Sequence, residues 1–401
     1  MEKRDRRVFR WVSWVMLWLV GCVLWWGSSE PMATASSNYW TVPPAPPILT
    51  NGSFECTNGY TLTQNYPGGK DVWIPDGWSV IYGMGHPRLL SSRMSRYVVC
   101  DGNGPVVSKM DGHDSWYLPS EDIATPPLPG KPFDLVLYQQ VSATYGGAYS
   151  LSGWMASECG DNENGPKPCP ADHYVAKMVG IDPFGGTDHL SPHIEWVENR
   201  TDRRWHGLHT STTALTNTIT IYARVLSPFQ FHNNKGFVDA FSLVRAPRSA
   251  LHPLPPTVIT GEVEIGWFGE QSEDIAALPG GNYDLLFDVQ ARALPSGAWR
   301  DLVTGSLEQG AIVFNAPCQD IRYAFRVRAR AEQPEGEPGL FPNHRYPGVW
   351  SQPQTVHFLA PAAPPVTPTL PITGTPTISP TLEVSPTLYL PLSARTTSRE
   401  C

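Results

Sequence analysis

Charge is scarce in this chain of 401 residues: Asp, Glu, Lys and Arg together make up only 16%. Lys+Arg 29 against Asp+Glu 37 leaves a formal charge of −8. A mildly acidic surface without basic clusters argues against nucleic acid as the partner. Long segments with helical periodicity are missing after residue 40. The chain also lacks a G-x-S-x-G elbow, a phosphate-binding loop and an H-E-x-x-H pair, which removes the common hydrolase, nucleotide and metalloprotease signatures. No two cysteines have C-x-x-C spacing, so a structural zinc site is excluded in its usual form.

Proline and glycine are plentiful instead, at Pro 41 and Gly 35, spread among short alternating apolar runs. That texture favours strands and turns, and the length allows two domains plus tails. The expected class is all-β, with two sandwiches in series.

Residues 1–35 read as an export signal. Lys3, Arg4, Arg6, Arg7 and Arg10 precede the apolar run Trp11–Trp26, and Ala33-Thr34-Ala35 offers a small-x-small cleavage site. Two alternatives stay open. The run is near the lower length limit of a membrane anchor, and Leu19-Val20-Gly21-Cys22 resembles a lipobox. Each reading places the remainder outside the cytoplasm, secreted or at a cell surface, with the membrane touched only through this segment. Cysteine usage agrees, since Cys56, Cys100, Cys159 and Cys169 form an even set in an exported chain. Cys159 and Cys169 bracket a polar insert that a disulfide would close, and Cys56 would then pair with Cys100.

Residues 36–47 are a Pro-rich lead-in, and the first module spans 48–246. Within it, Leu135–Val141 and Tyr149–Ala156 flank a link containing Gly146 and Gly147, the pattern of two adjacent antiparallel strands. Tyr149, Leu151, Gly153 and Met155 share one face, while Ser150, Ser152, Trp154 and Ala156 share the other. An indole flanked by serines on the non-core face is a functional lead. In Ile219–Val225 the same rule turns Tyr222 and Arg224 outward together. Residues 247–256 read as a linker, 257–359 as a second module, and 360–401 as a Pro/Thr-rich tail too poor in apolar residues to fold.

The opening Asn51-Gly52-Ser53-Phe54-Glu55, Gly77-Trp78, the Tyr149–Trp154 passage and the closing Lys235–Leu243 resemble the galactose-binding-like jelly rolls. Carbohydrate-binding modules of the family four and nine type are the relatives this order of motifs resembles. The resemblance implies two antiparallel sheets face to face, with glycan on a sheet face or at the loop tips. The second module resembles a fibronectin type III domain: Trp267 matches its core tryptophan, Tyr323 its corner tyrosine, and Tyr323–Ala329 its penultimate strand. The resemblance implies a spacer, and the insert 332–348 departs from it.

Sugar recognition needs flat aromatic faces with polar groups around them. Trp154, Tyr222, Arg224 and Ser152 are therefore expected to form one site, provided their strands are neighbours. Tyr138 and Gln140 join if Leu137, Gln139 and Val141 turn inward, which buries Gln139 awkwardly. Trp196 and Trp205, near loop ends, are candidates for a loop-tip site. No cofactor is required. A structural calcium ion is the one candidate, held as the first resemblance implies by Glu55 and Asp239. Asp161, Glu163, Asp182 and Asp188 sit in Gly/Pro-rich loops without an evident rigid partner, so a glycosidase is not the reading. The chain is read as a non-catalytic binder of polysaccharide or glycan. The alternative is a structural or adhesive surface protein that binds cell-surface proteins.

Overall fold

The structure is a computed structural model describing residues 48–55, 59–66, 70–84, 110–112, 115–119, 132–159, 170–229, 234–278, 282–333 and 344–360. The segment read as an export signal, the lead-in and residues 361–401 fall outside these residues, as do Cys56, Cys100 and Cys169. Among the described residues no helix is long and apolar enough to cross a membrane. Among the described residues the chain is all-β, apart from a single turn of helix at Glu273–Ala276.

The first sandwich follows a two-stranded sheet of β1 (Tyr60–Tyr66) and β2 (Lys70–Pro75). Its strands are β3 (Ser79–Met84), β4 (Trp116–Pro119), β5 (Phe133–Ser142), β6 (Ala148–Glu158), β7 (Ala176–Asp182), β8 (Val197–Asn199), β9 (His206–Thr213), β10 (Thr218–Ser227) and β11 (Lys235–Arg245). They form a five-stranded sheet in the order β3-β5-β10-β7-β8 and a four-stranded sheet in the order β4-β11-β6-β9. Period-two alternation drives the layering. Leu135, Leu137 and Val141 of β5 and Ile219, Ile221, Ala223 and Val225 of β10 meet Tyr149, Leu151 and Met155 of β6 in one core.

The opening motif plugs this core at one end. Phe54 packs against Trp78 and Phe241 with ring centroids 5.1 and 5.8 Å away. Gly153 leaves room for the Phe241 ring, which would stand 2.5 Å from any Cβ added there. The Trp78 indole N–H donates to the Thr50 carbonyl at 3.0 Å. Gln139 does turn inward, and its amide is satisfied. Its Oε1 accepts from Thr50 N at 2.8 Å and its Nε2 donates to Thr50 O at 3.0 Å. A buried amide with both ends paired avoids the desolvation penalty that made this register look awkward.

The second sandwich has β12 (Arg248–Leu251), β14 (Glu262–Glu270) and β17 (Gly310–Asn315) in one sheet. The other runs β13 (Thr257–Val258), β20 (Gln354–Phe358), β18 (Ile321–Glu332), β15 (Asp284–Ala293), β16 (Arg300–Ser306), with β19 (Arg345–Pro347) on β18. Its separate core holds Trp267, Phe287, Val289, Tyr323, Phe325 and Val327. Part of the stretch read as a linker is strand: β12 pairs with β14 from Arg248↔Glu270 to Leu251↔Trp267.

The two sandwiches meet on the outer face of the four-stranded sheet. Val244 packs with Ile275, Tyr283, Ala331 and Tyr346. Arg245 grips Asp274 through Nε at 2.9 Å and Nη2 at 2.6 Å. Ser152 Oγ lies 3.0 Å from His209 Nδ1 and 2.7 Å from His344 Nδ1. Burial holds His209 down at about 3, helped by the neighbouring His344 and Arg345, and burial holds His344 at about 4. Both rings are neutral when folded, whereas in the unfolded chain they titrate near 6.5. Their contribution is complete above pH 6.5 and is lost as pH falls toward the folded values, because the unfolded state then binds more protons. Each ring should remove roughly 1 kcal/mol per pH unit within that window. Denaturant unfolding over this range should show a shallower acid loss for His344→Gln than for the parent.

Candidate functional site

The residues expected on one wall are divided between two. Tyr138 and Gln140 of β5 and Tyr222 and Arg224 of β10 share the outer face of the five-stranded sheet, with Tyr222 opposite Tyr138. Trp154 and Ser152 lie on β6, in the four-stranded sheet. Alternation tells which way a side chain points but not which sheet its strand joins, so the single set is corrected to two.

Around Ser152 and Trp154 on the four-stranded sheet little is left for a ligand. Ser152 is fully buried between the two histidines at the joint, so it is structural. Trp154 is half-buried above Gly207, where an added Cβ would come 3.2 Å from the indole. Its Nε1 is buried and finds no partner among the described residues. Trp205, expected near a loop end, precedes β9 and lies 6.1 Å from Phe237, whose ring stacks on Tyr117 at 5.0 Å.

The outer face of the five-stranded sheet is built differently. The segment between β7 and β8 folds back across it, and Ile194 joins Val136 and Tyr222 in a small apolar patch under Trp196, Tyr138 and Ile81. Tyr222 is 0% exposed and its hydroxyl donates to Gly186 O at 2.6 Å. Burial, reinforced by Asp182 and Asp188, pushes that phenol well above its ordinary range. Tyr222 is therefore a support and not a sugar contact. Gln140, exposed at the rim, donates to Gly185 O at 2.7 Å and ties the same segment down.

Trp196 lies across Gly180 of β7: a Cβ there would fall 3.0 Å from the indole Cε3 and 2.6 Å from Ile194. The indole ring stands 5.7 Å from Tyr222 and 5.8 Å from the Arg224 guanidinium, and it stays half-exposed. Arg224 binds Asp134 in a fork, Nε to Oδ1 at 2.7 Å and Nη2 to Oδ2 at 2.6 Å. The missing side chain at Gly83 makes room for the Asp134 carboxylate, with His189 Nε2 against the same spot. Sequence reasoning passed over Asp134 and Gly180. The available signal was an isolated glycine inside a buried strand, which marks a close approach.

The residues read as calcium ligands lie elsewhere, with Asp239 on β11 of the four-stranded sheet. Asp239 is fully buried at a bulge in β11, where its Oδ2 accepts from Met110 N at 2.6 Å and its Oδ1 from Ala240 N at 2.7 Å. Burial, and then the neighbouring Asp111, raises its carboxyl well above the usual range; burial also raises Asp111. Asp111 Oδ1 and Asn51 Oδ1 are buried without hydrogen-bond partners among the described residues. Glu55 lies against Gly112, so Asp111 is the acidic residue that the sequence did not single out. Oxygen donors of this kind fit a hard cation. Even so, among the described residues no three His, Cys, Asp or Glu side chains surround one point.

No protein-family model matches the chain. No curated protein matches it either. Among solved structures, it is similar to a family 61 carbohydrate-binding module in complex with β-1,4-galactotriose, at TM-score 0.28 and 15% identity over 49% of this chain and 97% of that one. It is similar also to a family 16 carbohydrate-binding module, at TM-score 0.21 and 15% identity over 34% and 81%. A cytokine receptor complex gives TM-score 0.18 and 18% identity over 56% and 93%. Scores this low assign no activity.

Gly180→Ala is expected to destabilise the fold by about 1–3 kcal/mol, because the added methyl meets Ile194 and the Trp196 indole in a filled contact. Urea unfolding of the variant checks this.

Proposed function

We propose that this chain is an exported, non-catalytic carbohydrate-binding protein, with the sugar site on the five-stranded sheet and the second sandwich as its carrier. One observation carries the reading: the half-exposed Trp196 indole is spread over Gly180, next to the Arg224–Asp134 fork. A fixed indole offers its surface to the C–H side of a pyranose, and an adjacent guanidinium and carboxylate suit its hydroxyls. Tyr138 flanks the patch and Tyr222 supports it from beneath. Asp134 has both oxygens engaged by Arg224, which suits a binding contact better than an acid or a nucleophile.

Trp196→Ala is expected to lose roughly tenfold in retention on the polysaccharide that retains the parent while remaining folded, at a lowered melting temperature. Trp154→Ala, on the opposite sheet, serves as the control and should keep retention. Equal retention of parent and Trp196→Ala across a panel of immobilised polysaccharides refutes the site. The proposal includes a structural calcium ion near Asp239, Asp111 and Glu55. Millimolar calcium should raise the melting temperature of the parent by a few degrees, and of Asp111→Asn by less.

A second reading is a structural or adhesive protein with protein partners. It is favoured by the apolar tip of the first sandwich, where Tyr145 is 70%, Leu190 68%, Phe184 44% and Leu215 42% exposed.

A further inference from the structure

A cleft of about 530 Å³ opens beside the joint, within the size range of small-ligand sites. One wall is Glu195, Val197 and five consecutive residues, His209–Thr213. Side chains on a strand alternate, so an unbroken run along a wall means that β9 presents its edge there. β9 is indeed the terminal strand of its sheet. Edge strands carry main-chain donors and acceptors, and Thr213 adds a hydroxyl, while Ser211 Oγ donates to Gly348 O at 3.0 Å.

The facing wall is cationic. Arg328, Arg330 and Arg345 line it with Glu332, and Trp350 closes the far side. Arg328 Nη2 pairs with Asp288 Oδ2 at 2.9 Å, and Arg330 reaches Asp288 at 3.7 Å and Glu332 at 3.2 Å. Arg345 Nε stands 3.4 Å from the same Glu332 oxygen. Three guanidinium groups thus share two carboxylates, and those carboxylates are only 5% and 15% exposed. Arg345 is the open member, with its side chain 56% exposed. The Trp350 ring holds Arg326 and Arg328 at 4.2 and 4.6 Å, which fixes this wall in place. The one other charge lining the cleft, Glu195, is exposed to water across from the arginines.

We infer that this cleft is a second binding site, for a carboxylate-bearing saccharide, whose acid group pairs with Arg345 and whose hydroxyls meet the β9 edge. The sugar half of this inference rests on the carbohydrate-binding function proposed above, while the acid half rests on the arginine wall alone. An extended acidic peptide is the less suited ligand, since strand addition needs side-chain pockets on alternate residues and this cleft is lined by hydroxyls and forks. The field is felt at the joint, where the Arg345 charge helps keep the His209 ring neutral.

The test is calorimetric titration of the full chain with a short oligogalacturonate, and with a neutral glucose oligomer of equal length. Acetate and a short polyglutamate serve as further probes. The parent should bind the uronate, more weakly as salt rises, and should ignore acetate and polyglutamate. Arg345→Glu should abolish this binding, and Arg345→Lys should weaken it roughly tenfold by losing the fork. Trp196→Ala should leave it intact. A parent that binds neutral sugar but not the uronate overturns this inference and spares the proposed function. Uronate binding unaffected by Arg345→Glu in a folded variant also overturns it, as does tighter binding of polyglutamate. Uronate binding lost in Trp196→Ala but kept in Arg345→Glu assigns the ligand to the indole platform and removes the cleft.

Discussion

Each strand of a two-layer sandwich has two faces, and only one of them can enter the core. That constraint organises the first half of this molecule. Apolar residues at alternate positions of β5, β6 and β10, Tyr149 and Met155 among them, fill the interior, so the residues between them, Tyr138, Trp154, Tyr222 and Arg224 included, are sent to an outer face. What happens on those two faces then differs. One is overlaid by the chain's own segment between β7 and β8, held down through Tyr222, Gln140 and Ile194. The other is covered by the second sandwich, through Val244, Arg245 and Ser152. The result is a stack of cover, sheet, core, sheet and neighbouring sandwich, in which the half-exposed indoles and cleft lie where the covers stop.

Charge follows the same logic. With so few ionisable residues, those near the interior come in matched sets: Arg224 with Asp134, Arg245 with Asp274, and Arg328 with Asp288. Lys177 is an exception, as Asp239 is, and it is fully buried and served by Ser157 Oγ and Thr201 O at 2.8 Å. Burial lowers its ammonium to about 8, which is what neutral partners in a dry setting produce. Such pairs contribute little net stability, but removing either partner strands the other.

Much of the fold was legible because hydrophobic periodicity is a local property. The class, the inward set of β10, and the outward aim of Trp154 and Tyr222 all follow from counting by twos. Sheet membership was not legible, since it depends on which distant strands pair, and this separated Trp154 from Arg224. Exposure was not legible either. Tyr222 faces outward as expected, yet a loop from elsewhere in the sequence seals it. Gln139 shows the converse: a polar residue at an inward position is tolerated because the Thr50 backbone happens to meet both ends of its amide. Asp134 and Gly180 carry no motif. Their importance appears only when Arg224 and Trp196 arrive from other strands.

The connection between the sandwiches is very short. β11 ends at Arg245 and β12 begins at Arg248, so Ala246 and Pro247 are all that separates strands of different layers. Ala246 N is itself tied to Ala148 O at 2.9 Å, and Gly348 packs directly on the Pro247 carbonyl. A hinge needs residues free to change their backbone angles, and this crossing has none to spare. The jaws of the cleft are therefore set when the chain folds, so the site inferred there is preorganised.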